Sequence, residues 1–151
     1  MRRLVRAIAL FAALAVILVT FDADARKKRV VWIEVAVSDR PALAPLMRKI
    51  LEKEGRRADW GKKRKAPVEA ALVVKELSAT REGDVVRVSC TAVGKVKGLG
   101  AAKSMFSYSG LPHQQTKLEK HVLELVARGI VTRLADMAKA DAAGWKVASG
   151  P

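Results

Sequence analysis

The chain has 151 residues, of which half are hydrophobic and 29% charged, a balance that excludes a disordered chain and leaves room for one ordinary domain. Its formal net charge of +14 favours anionic partners, whether nucleic acid, lipid headgroups, acidic glycans or an acidic protein. Aromatic residues make up only 5%, so the core has to come mainly from Val, Leu, Ile and Ala.

The first 25 residues read as an address. Arg2, Arg3 and Arg6 are followed by Ala7–Phe21, apolar except for Thr20, and then by Ala23-Asp24-Ala25, a small-x-small cleavage pattern. Cleavage after Ala25 predicts an exported protein, periplasmic or extracellular, whose mature chain keeps a charge of about +13. The run Arg26-Lys27-Lys28-Arg29 opposes translocation and keeps a second reading open, an uncleaved inner-membrane anchor that alone would give membrane contact. A run of fifteen residues is short for a span. A cytoplasmic product is the third reading.

Residues 26–29 then form a basic linker, 30–140 a single domain and 141–151 a flexible tail carrying Trp145. Val30–Val37 is the first predicted strand, with Val31, Ile33, Val35 and Val37 on one side and Trp32, Glu34 and Ala36 on the other. A turn at Ser38-Asp39-Arg40-Pro41 leads into a helix from near Ala42 to Glu54, striped by Leu43, Leu46, Met47, Ile50 and Leu51 and ended by Gly55. Arg56–Pro67 reads as an exposed loop. Residues 70–79 and 85–95 make a hairpin turned at Gly83, and 102–109 a fourth strand. Thr116-x-x-Glu119 matches a capping box opening a helix to about Ala140. The order β-α-β-β-β-α predicts an α/β (α+β) two-layer sandwich, a four-stranded mixed sheet with two helices on one face.

The motifs of chemistry are sparse. Gly98-Leu99-Gly100-Ala101-Ala102-Lys103-Ser104 lacks the glycine spacing of a phosphate loop and leads into a strand, not a helix. His113 and His121 have no Cys or carboxylate at ligand spacing, so no metal or other cofactor is expected. Ser104, Ser107 and Ser109 lie near these histidines in sequence without a nucleophile elbow, so a hydrolase is the weaker alternative to a non-enzymatic protein. Cys90 is the single cysteine, on the apolar side of an alternating run, and reads as an inert buried thiol. The segment Arg56, Arg57, Trp60, Lys62, Lys63, Arg64 and Lys65 is the best binding candidate, with six cations for anions and an indole to stack on a base or sit among headgroups. The bland alternative is a solvated loop. On the sheet's uncovered face, Trp32 and Arg87 are the expected anchors, with cover by a loop or the chain terminus as the alternative for Trp32.

The hydrophobic pattern of residues 30–140 resembles a family of bacterial envelope domains, the TolB amino-terminal domain and its relatives among penicillin-binding-protein activator lipoproteins. The likeness rests on Val30–Val37, on Leu46-Met47-Arg48-Lys49-Ile50-Leu51, on Leu72-Val73-Val74 with Gly83-Asp84-Val85-Val86-Arg87-Val88, and on Leu125-Val126-Ala127-Arg128-Gly129-Ile130-Val131. The chain departs in lacking a lipidation cysteine, in having Ala70-Ala71-Leu72 where the second strand commonly opens Ala-Asp-aromatic, and in its basic 55–67 loop. The resemblance implies a non-enzymatic module that docks another envelope protein. The partner is thus expected to be an envelope protein or an anionic surface or polymer. The alternative is a nucleic-acid-binding protein using the 56–65 cluster. Oligomeric state is not legible.

Overall fold

The computed structural model of the protein describes residues 29–62, 64 and 66–144. The leader, linker residues 26–28, Lys63, Lys65 and the tail from Trp145 lie outside the described residues.

Strand β1 (Val30–Val37) is followed by a 3-10 turn (Pro41–Leu43) and helix α1 (Ala44–Arg57), then by β2 (Val68–Glu82), β3 (Val85–Val96) and β4 (Gly100–Gly110). A second 3-10 turn (Pro112–Gln114) leads into helix α2 (Gln115–Ala142). The sheet runs β1-β2-β3-β4, with β1 parallel to β2 and the other pairs antiparallel. One face is covered. Helix α2 lies across β3 and β4, while α1 packs on β1 and against α2. The expected two-layer α+β sandwich is therefore the observed architecture.

Alternation places Val86, Val88, Cys90, Ala92 and Val96 of β3 in the core, opposite Leu77, Val74 and Ala70 of β2. Above them α2 buries Val122, Val126, Ile130 and Leu134 against the sheet. The helix comes close at Gly94, where an added Cβ would collide with Ile130 Cγ2, and at Gly129, where it would lie 3.0 Å from Ser104 Oγ. Gly83 takes φ +63° in the β2–β3 turn, as the hairpin requires.

The first strand differs from its sequence reading. Trp32 pairs with Ala70 and Glu34 with Ala71, so Ile33 is one residue too many and makes a β-bulge. The bulge reverses the alternation. Trp32 therefore shares the covered face with Val35 and Val37, whereas Val31 and Ile33 are exposed. Burying an indole removes more apolar area from water than burying a Val or Ile side chain, which favours this arrangement.

Two helix ends also differ. Gly55 does not stop α1 but lies inside it, where the missing side chain lets Val30 and Trp32 approach. Nor does Glu119 form the capping box: α2 begins before Thr116, and no side chain caps its start. Glu119 instead accepts two hydrogen bonds from the Arg40 guanidinium, at 2.7 and 2.9 Å, and one from Gln115 Nε2. A nearly buried carboxylate favours a bidentate arginine over solvated backbone. The pair fastens the β1–α1 connection to the start of α2.

Candidate functional site: the uncovered sheet face and its basic rim

The basic segment is tied to the fold more tightly than its composition suggests. Trp60 is 2% exposed, and its Nε1–H donates to the Gly55 carbonyl at 2.8 Å. The expectation that Trp60 offers its ring to a base or headgroup is corrected: the indole plugs the space beneath the end of α1. Arg64 is turned inward as well. Its guanidinium donates to the Ala138 carbonyl and is paired with Asp141, in the last turns of α2, where the helix dipole favours cations. Lys139 pairs with Asp59 at 3.0 Å, which raises the ammonium pKa and lowers that of the carboxyl. Through Asp59 and Arg64 the segment after α1 is strapped across the end of α2.

Of the remaining cations, Arg57 reaches Glu54 at 3.5 Å, and Glu54 also accepts from Arg128 of α2 at 3.3 Å. Arg56 and Lys62 are exposed. Among the described residues, Arg56, Arg57 and Lys62 thus form the outward part of the rim.

The second expected anchor pair is divided by the sheet. Arg87 lies on the uncovered face, on β3, opposite Thr80 and Ser109, and is exposed. Trp32 lies beneath the helices, so the expectation that it anchors a partner on the uncovered face is corrected by the bulge at Ile33.

Alternation brings further residues to that face which the sequence reading did not single out. Lys95 of β3 and Lys103 of β4 are both exposed there, and Met105, opposite Thr91, is 70% exposed. Ser89 and Ser107 pair through their hydroxyls at 2.8 Å. Neither β3 nor β4 contains an acidic residue. The acids of this face, Glu34, Glu69, Glu76 and Glu82, belong to β1 and β2, and Glu69 is already bonded by Lys97 Nζ at 2.7 Å. The face is therefore split along its length into a β1–β2 half with carboxylates and a β3–β4 half with cations, hydroxyls and an exposed thioether. The period-2 pattern of β3 and β4 held that information.

Exposed His113 sits in the turn after β4, and His121 meets the Tyr108 ring edge-on, with centroids 5.2 Å apart. Among the described residues no group of three or more His, Cys, Asp or Glu is placed to hold a metal ion. Cys90 is fully buried, and desolvation raises its thiol pKa to about 12, with Glu76 adding to the shift. No helix among the described residues is long and apolar enough to cross a membrane.

No family model matches the chain, and no curated protein matches it. Among solved structures it is similar to one named “putative lipoprotein” from Caulobacter crescentus. That likeness has a TM-score of 0.45 at 13% identity and covers 67% of this chain and 83% of the other. At that similarity nothing about activity carries over.

Proposed function

We propose that this protein is an exported, non-enzymatic binding module of the bacterial cell envelope, docking an acidic partner on the β3–β4 half of its uncovered sheet face. One observation carries the reading: that half presents Arg87, Lys95 and Lys103 around a hydroxyl-rich centre that holds Met105, without a carboxylate of its own. Complementary charge steers encounter and rejects basic partners, while an apolar contact at the centre gives affinity that salt does not screen. The exposed rim cations Arg56, Arg57 and Lys62 extend the positive field without being the contact surface. Export rests on the leader pattern of residues 2–25, and the envelope setting on the resemblance to the TolB amino-terminal domain and penicillin-binding-protein activators.

Cosedimentation of the purified protein with isolated bacterial envelopes tests this, with the triple variant Arg87→Glu, Lys95→Glu, Lys103→Glu beside the wild type. The expected result is salt-sensitive binding by the wild type, lost in the variant with an unchanged circular dichroism spectrum. Equal binding by the two proteins refutes the proposed face. Binding to duplex DNA in preference to envelopes turns the reading into that of a nucleic-acid-binding protein.

A further inference from the structure

A cleft of about 170 Å³ opens between the start of β1 and the outer side of α1, at the opposite edge of the sheet from β4. Its charged lining is Arg29, Arg48, Glu52 and Arg56, and Trp32 and Gly55 complete the wall where the two elements meet. Arg48, Glu52 and Arg56 are spaced four apart on α1, which sets them on one helix face, and Arg29 approaches from the strand side. Three guanidiniums against one carboxylate leave two net positive charges around a small concavity. Guanidiniums cost less to desolvate than ammoniums and offer forked N–H donors that match tetrahedral or planar oxyanions.

A second observation points to a ligand. Trp32 is 5% exposed, and its buried Nε1–H has no hydrogen-bond partner among the described residues. Buried donors are nearly always satisfied, so an orphan beside a cleft calls for an acceptor. Gly55 lets the wall of the cleft close up tightly: a Cβ there would lie 3.6 Å from Trp32 Nε1 and only 2.8 Å from Val30 Cγ1, so any side chain at this position displaces that wall. Arg48 is held in place by donating one N–H to the Trp32 carbonyl at 3.0 Å, which leaves its other donors for a guest.

We infer that this cleft binds a phosphate monoester, whose dianion matches the two net positive charges and whose oxygens can accept from the arginines and from the Trp32 indole. The cavity holds more than a lone ion, since a water needs only about 10–15 Å³ of such space, so a short organic body fits behind the phosphate. The inference is independent of the docking face, which lies on the other side of the sheet.

The test is titration of the 15N-labelled protein at constant ionic strength, reading the Trp32 indole N–H resonance assigned with Trp32→Phe. Glycerol 3-phosphate, inorganic phosphate, acetate and vesicles carrying phosphatidic acid are the probes. The expected result is a saturable shift of that resonance with glycerol 3-phosphate below about 10 mM. Arg56→Gln, an exposed position, is expected to weaken binding about tenfold. Gly55→Ala is expected to abolish binding, and the Arg56 variant decides the outcome if that protein does not fold. A response to vesicles alone supports the same phosphate chemistry with a lipid headgroup as its source. No saturable shift with any phosphate probe, an acetate response equal to the phosphate response, or unchanged affinity in Arg56→Gln overturns the inference.

Discussion

Trp60 separates a binding role for the basic loop from a structural one. Truncation to Ala removes an indole that is almost wholly buried and the hydrogen bond from its Nε1 to the Gly55 carbonyl. An indole buries roughly 150–250 Å², which at about 25 cal/mol per Å² gives an upper figure of about 4–6 kcal/mol. Measured truncations of buried aromatics cost about 3–5 kcal/mol, and relaxation of a loop-borne site places Trp60→Ala near the lower end, about 3 kcal/mol. Trp60→Phe restores most of the apolar volume but leaves the Gly55 carbonyl without its donor, for a loss of about 1–2 kcal/mol. Urea unfolding followed by circular dichroism should show the midpoint falling in the order wild type, Trp60→Phe, Trp60→Ala, with a common slope. A Trp60→Ala protein within about 0.5 kcal/mol of wild type would refute the structural assignment and return the indole to solvent.

Gly94→Ala puts a methyl group against Ile130 and Leu134 under α2, and should cost about 1–3 kcal/mol in the same assay. The Arg40 guanidinium hydrogen-bonded to Glu119 holds that carboxyl below its ordinary range. Its contribution is therefore present above the unfolded-state value near pH 4 and disappears as pH falls through the lower folded-state value. Because Arg40 is partly exposed, Arg40→Ala should cost about 1–2 kcal/mol at pH 7 and much less under strongly acid conditions, as pH-dependent urea midpoints would show. Cys90 should resist a disulfide-exchange reagent at pH 8 in the folded protein and react promptly in denaturant, since its thiol is buried with a pKa raised to about 12.

The fold was legible because period and punctuation agreed. Alternation in β3 and the 3.6-residue stripe of α2 each name a covered side, and Gly83 marks the turn between β2 and β3. The first strand misled because both of its sides are apolar: Val31 and Ile33 compete with Trp32, and only pairing with β2 reveals the extra residue at Ile33. Composition also misled in the 56–65 segment. A run of cations beside a tryptophan has the same sequence signature whether the indole faces a ligand or the core, and Arg64 gains its partners from a helix more than 70 residues later. Glu119 shows the same limit, since Arg40 lies 79 residues away in sequence. Lys95, Lys103 and Met105, in contrast, were readable from strand parity once β3 and β4 were taken as neighbours.

The β3–β4 face is tested most directly through Met105, the 70% exposed methionine at its centre; Met47 is buried and Met137 packs against the core. Methyl-selective 13C labelling of methionine allows all three to be followed while an acidic polypeptide such as polyglutamate is added. The Met105 methyl signal should shift saturably and return on addition of salt, with Met47 and Met137 unmoved. Binding of the polyanion that leaves Met105 unshifted would contradict the account.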